Sequence, residues 1–257
     1  MFIGGAVVLF LIITATIASG DTIERRPIVI MNNYEFTVEN GVTAGSGTAN
    51  DPYIIEGWRI DAGSRDYGIH IHRTTRTFVI RNVEISGAAK AGIFLNFVRN
   101  ASVEDSTLIG NWVGITLNFA GFNRIRGCTI KSNMEGIILR FSDNNQILDN
   151  TVTRNAVAAI WFFAAESNEI IGNIISSNHM GIFLDFGSQE NLIHRNTFLD
   201  NVHNARSVSA NSWDKGGAGN YWFDHRAFDS DRDGIWDSPY IIRSDADQDN
   251  FPLVHRP

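Results

Sequence analysis

Between residues 67 and 201 the chain alternates large apolar and polar residues in short runs that recur in phase. A glycine or alanine followed by a large apolar residue stands at Gly68, Gly92, Gly114, Gly136, Ala159 and Gly181, at intervals of 24, 22, 22, 23 and 22 residues. A second apolar column runs Ile55, Ile80, Val103, Ile125, Ile147, Ile170 and Ile193. A third lies five residues on, through Ile60, Ile85, Leu108, Ile130, Val152, Ile175 and Phe198. Alternation at period two, rich in β-branched residues, predicts strands. No stretch inside a copy has helical periodicity, which argues against helical and leucine-rich repeats. Three short strands per copy of about 22 residues predict one coil of a right-handed parallel β-helix. Each coil then stacks on the last at the inter-strand spacing of about 4.8 Å, so inward residues line up in columns.

Asparagine also recurs in columns: Asn123, Asn145, Asn168, Asn191; Asn150, Asn173, Asn196; and Asn111, Asn133, Asn155, Asn178, Asn201. Asn tolerates left-handed backbone and bonds its own turn. Stacked amides also bond one another between coils. These columns read as structural corner ladders rather than as ligand groups.

Two residues past each column glycine the side chain is expected to face outward. That gives His70, Phe94, Thr116, Ile138, Trp161 and Phe183, and two further on His72, Asn96, Asn118, Arg140, Phe163 and Asp185. Exposed aromatic patches mark contact surfaces. Sugars stack on rings while polar neighbours bond their hydroxyls. His70, His72, Phe94, Asn96, Asn118, Arg140, Trp161, Phe163, Phe183 and Asp185 are therefore candidate carbohydrate-binding residues, for a polysaccharide or cell-surface glycan. The competing expectation is that the C-terminal tail, itself rich in Trp and Tyr, folds over this stripe. Hydrolases need two carboxylates about 5–9.5 Å apart. Only Asp185 is acidic here, so the face favours binding over catalysis.

Both flanks differ from the repeat. Phe2–Ala18 is an uncharged apolar run ending in small residues. It predicts a signal peptide or an uncleaved N-terminal anchor over 1–20, and with it a secreted, periplasmic or cell-surface location. Residues 21–53 read as an entry segment with a capping strand, 54–210 as the β-helix and 211–257 as a loop-rich C-terminal cap. Within that cap Asp229-x-Asp231-x-Asp233-Gly234-Ile235-x-Asp237 resembles the first half of an EF-hand loop, with Gly at the sharp turn. Tyr240 stands where an EF-hand has Glu, so a full EF-hand is excluded. Asp229, Asp231, Asp233, the Ile235 carbonyl and Asp237 are the candidate calcium ligands. Asp245, Asp247 and Asp249 form a second, weaker acidic run lacking the glycine.

Bulk properties narrow the partners. The net charge of −7 and pI near 5.4 argue against nucleic acid, which wants a basic face. The single cysteine, Cys128, excludes an internal disulfide. It stands where later coils carry Asn. Asn100-Ala101-Ser102 is a glycosylation triplet of a kind that arises often by chance.

The Asn-x-Ile, Asn-x-Val, Asn, Gly-Ile rhythm resembles the NosD family, within the wider group of β-helical carbohydrate-binding proteins and sugar hydrolases. Gly45–Trp58 resembles that family's entry segment, and Gly219–Trp222 with Asp229–Tyr240 resembles the exit of prokaryotic, especially archaeal, surface members. The resemblance implies the β-helix and admits three functions. A non-catalytic carbohydrate-binding scaffold leads. The alternatives are a copper-assembly accessory protein and a polysaccharide lyase or epimerase acting on uronate polymers. Copper takes His, Met or Cys clusters. His70-Ile71-His72 could hold one ion, with no Met or Cys at strand spacing beside it. The Asp-Pro-His motif of β-helical epimerases is absent.

Overall fold

The computed structural model describes residues 22–243 and 247–257. The N-terminal segment 1–20 and Asp245 lie outside the described residues. Every assigned element is a strand, and no helix among the described residues is long and apolar enough to cross a membrane.

Each coil contributes one strand to each of three faces. In one copy these are Glu135–Arg140 on a long-strand face, Gln146–Leu148 on a second and Thr151–Thr153 on a third. The faces hold eight, seven and nine strands, each bonded to its counterpart one coil away. Ile137 pairs with Ile115 and Ile160, Ile147 with Ile125 and Ile170, and Val152 with Ile130 and Ile175, all parallel. The sequence columns are thus the rungs of a parallel β-helix. Their side chains are fully buried in one core running from Ile28 to Ile242.

The column glycines are set by space. A Cβ on Gly114 would sit 2.6 Å from the Gly136 carbonyl oxygen and 2.6 Å from Ile130 Cγ2. The chain there passes too close to the next coil for most side chains.

The asparagines form the amide ladder between coils that their columns predict, but they are not the left-handed residues of the corners. The left-handed residue stands one position earlier: Asn144 (φ 58°) before Asn145, Asp149 (φ 54°) before Asn150, Arg154 (φ 55°) before Asn155. The ladder amide points inward instead. Asn150 Nδ2 donates to the Ile125 carbonyl one coil back and to Asn173 Oδ1 one coil on, while its Oδ1 accepts from Cys128 N. Each corner thereby satisfies backbone groups that the turn leaves inside the core. Cys128 is one rung of this ladder and buried.

Both ends are closed. Ile23–Arg25 pairs with Trp58–Asp61, and Ile28–Ile30 with Tyr67–Thr74, so the first strands are themselves rungs. The loop after them covers the open end: Phe36 stacks on Tyr53 at 4.8 Å and lies 5.5 Å from Phe78. At the other end Trp222 stacks on Phe198 at 4.2 Å and on Tyr240 at 4.0 Å. The buried Asp249 carboxylate accepts from Asn220 N, Trp222 Nε1 and Phe251 N. Burial raises its pKa, and those hydrogen bonds pull it back. Trp213, Trp222 and Tyr240 of the tail are packed into this end.

Candidate functional site

The outer side of the long-strand face is less open than alternation alone suggests. Ile138 is 1% exposed and joins Ala91 and Val113 in a small outer cluster, against which Tyr67, Phe94 and Trp161 pack. Thr116 is buried as well. Long side chains of neighbouring outward columns lean together and cover the short ones. Trp161 is half-buried, and its Nε1 is buried without a hydrogen-bond partner. Its ring stacks with Phe183 at 6.2 Å, and the Arg140 guanidinium lies 6.0 Å from it. Among the described residues, neighbouring coils cover the middle of the expected stripe. Asp185 turns its Oδ1 to Phe186 N.

Sequence reasoning missed a more exposed aromatic column. Phe97, Phe119 and Phe141 are 44, 46 and 44% exposed. They stack at 4.9 and 4.8 Å with interplanar angles of 3° and 10°. All three are left-handed, at φ 52°, 48° and 49°, and strict alternation does not carry through a left-handed residue. The available signal was Phe recurring at 22-residue spacing directly after Asn96, Asn118 and Arg140. Beside this column runs a polar one: Asn118 Nδ2 donates to Asn96 Oδ1, and Asn96 Nδ2 donates to His72 Nδ1, both at 2.9 Å. The Phe ring faces are occupied by one another, so mainly edges meet solvent. A sugar stacks on a face, so this column is a poor platform for one. Phe163 meets Phe141 edge-on at 5.5 Å.

An open concavity lies at the C-terminal end of the same face. A cleft of about 830 Å³ is lined by His179, Met180, His203, Arg206, Ser207, Ser209, Arg243 and Asp247, with Val208 and Ala210. The His179 and His203 rings lie 5.7 Å apart at 77°. Met180 and His203 are register partners, so these donors come from adjacent coils. Arg206 follows Phe183 in the outward column and sits 5.2 Å from its ring. Of these only Asp247, in the weaker acidic run, was a sequence candidate; from His203 on, the repeat loses its glycine and apolar markers while its backbone register continues.

The acidic loop is partly assembled. Asp229, Asp231 and Asp233 each place a carboxylate oxygen within 4.8 Å of the others. Gly234 turns the chain at φ 89°, and Asp229 Oδ1 is buried without a hydrogen-bond partner. Asp237 lies outside this trio: its Oδ2 accepts from Ser230 N at 3.1 Å and Ser230 Oγ at 2.6 Å. Ile235 N donates to Asp233 Oδ1.

The profile of the family described as "Periplasmic copper-binding protein (NosD)" matches residues 14–227. The chain belongs to the NosD family. Over 92 residues it is 33% identical to a protein of Pseudomonas aeruginosa named "Probable ABC transporter binding protein NosD", covering 35% of this chain and 22% of that protein. The protein of the same name from Stutzerimonas stutzeri is 30% identical over 92 residues, covering 35% and 21%. The matched stretch is thus about a fifth of the length of either relative. Among solved structures, the periplasmic alginate epimerase AlgG superposes with TM-score 0.42 at 19% identity, covering 62% of this chain and 45% of that one. PfbA, a surface adhesin of Streptococcus pneumoniae, superposes with TM-score 0.45 at 14% identity, covering 74% and 59%. At these scores the likeness says nothing about substrate.

Three places in this NosD-family chain, Cys128, the His70–His72 pair and the His179–His203 pair, bear on copper. Cys128 does not fit: burial pushes its thiol up to about 12, so no thiolate is offered. His70 and His72 lie 6.1 Å apart, but Tyr67 and Phe94 crowd His70 at 4.7 and 5.1 Å, and Asn96 occupies one nitrogen of His72. Burial lowers both pKa values, keeping the rings neutral. His179 and His203 fit better. They face open space, and Met180 brings a thioether to the same wall; imidazole and thioether together suit copper.

Proposed function

We propose that this chain is an extracytoplasmic β-helix binding protein that holds a copper ion in the cleft through His179 and His203, with Met180 as a soft third donor. The observation behind this reading is the pairing of two imidazoles from adjacent coils with a thioether on one open wall. The array supplies rigidity, since Met180 and His203 lie on strands bonded to the coil before them and His179 directly precedes the first of these. The family's description as periplasmic and copper-binding supports both the metal and the location. The test is copper titration followed by electron paramagnetic resonance for Cu(II) and by a chromophoric competitor for Cu(I). The double variant His179→Ala/His203→Ala is expected to lose nitrogen-coupled Cu(II) binding, and Met180→Ile to weaken Cu(I) more than Cu(II). Unchanged binding in the first, or loss only in His70→Ala/His72→Ala, overturns the assignment.

A second reading, non-catalytic carbohydrate binding, is favoured by the half-buried Trp161 and Phe183 leading along the outer face into the same cleft. It ranks below copper because the rings on this face cover one another. The three converging aspartates of the C-terminal loop additionally support a calcium ion that stiffens the cap.

A further inference from the structure

Four cations of this array are matched across or beside adjacent coils. Arg59 bonds Glu84 and Arg81 bonds Glu56, each at 2.6 Å across adjacent coils, while Lys90 bonds Asp66 at 2.7 Å and Arg126 bonds Asp149 at 3.2 Å. The cleft sets two further arginines side by side. Arg206 and Arg243 are bridge partners in a parallel pairing, two cations on neighbouring rungs, and neither has a carboxylate partner among the described residues. Like charges directly opposite one another are destabilising in a sheet. Nearby acids are turned elsewhere. Asp247 accepts from Asn211 N and Trp213 Nε1, and Asp224 from Asn204 Nδ2 and the Tyr240 hydroxyl. His179, His203 and Ser209 line the same space. In a chain of net charge −7 the cleft places two arginines and two histidines beside the Asp247 carboxylate.

We propose that Arg206 and Arg243 form an oxyanion site, and that the ligand of the cleft carries carboxylate or sulfate groups, as an acidic sugar chain does. Guanidinium forks bind such groups through paired, charge-assisted hydrogen bonds. The Arg206 guanidinium lies 5.2 Å from Phe183, which stacks towards Trp161, so a sugar ring next to the bound anion would meet an aromatic side chain. This deepens the carbohydrate reading and rests on it for the polymer; the anion itself rests only on the paired arginines.

The experiment is calorimetric titration of the purified protein with four probes: an oligouronate, a sulfated oligosaccharide, inorganic phosphate and a neutral glucan of equal length. The wild type is expected to bind the first two, more weakly as salt rises, and the neutral glucan far less. Arg206→Gln and Arg243→Gln should each weaken binding about tenfold, the effect of one charge-assisted hydrogen bond, with Arg206→Lys intermediate. Melting curves and copper titration of the same variants check that fold and metal donors survive. Phosphate bound as tightly as the oligosaccharides, and lost in both variants, supports the anion site with a free ion as its source. A neutral glucan bound as well as the oligouronate overturns the anion site and leaves carbohydrate binding standing. No probe bound, or full affinity in the double variant, overturns the inference.

Discussion

A ladder asparagine in this molecule acts as an interior amide rather than as a turn former. Asn150 bridges three coils: it accepts from Cys128 N at 2.9 Å and donates to Ile125 O and Asn173 Oδ1, both at 3.0 Å. Replacing it with Ala keeps the left-handed Asp149 but strands a buried N–H and a buried carbonyl. Each such group costs roughly 1–3 kcal/mol. Asn150→Ala is therefore expected to melt well below wild type in thermal circular dichroism, and an unchanged midpoint would sink this account. The columns of Asn were visible in the sequence. Their direction was not, since Asn is equally at home as a left-handed corner or as a buried amide. Only the backbone decides, by placing its positive φ one residue earlier.

The loop Asp229–Asp237 shows how far an element can be read from spacing. Alternate aspartates before a glycine predicted converging carboxylates, and Asp229, Asp231 and Asp233 do converge within 4.8 Å. Asp237 does not, because Ser230 binds its carboxylate across the loop. With calcium supplied, the trio should lose its mutual repulsion and the cap should tighten. Hydrogen exchange with and without chelator tests this on wild type and Asp231→Ala. Chelation is expected to loosen residues from about 211 onward in the wild type only, the central coils staying protected. Equal exchange in all four samples would leave an acidic loop and no ion.

Because each coil touches mainly its neighbours, damage in such an array spreads from an end. Trp222 seals one end, stacked between Phe198 and Tyr240 and fully buried. Truncating a core aromatic costs about 3–5 kcal/mol. Trp222→Ala is expected to fray the last coils, including the cleft carrying His203 and Arg206, while amides around Ile115–Leu139 stay slow to exchange. Uniform loss of protection along the chain would show a two-state globule instead of a graded solenoid.

Three columns repeating every 22 to 25 residues were enough to establish an all-β parallel helix, because inward side chains of stacked coils must coincide. The asparagine columns located the corner ladders, and alternate aspartates before a glycine located the acidic loop. Exposure was beyond these patterns. Ile138 and Trp161 stand at outward positions, yet neighbours on adjacent coils cover them, and how side chains lean across a face depends on their sizes in three dimensions. The exposed Phe97, Phe119 and Phe141 lie where a left-handed residue breaks alternation. The cleft needed the tertiary structure altogether: it joins His179 and His203 to Arg206 and to Arg243, contributed by a tail whose return to the long face no local pattern encodes.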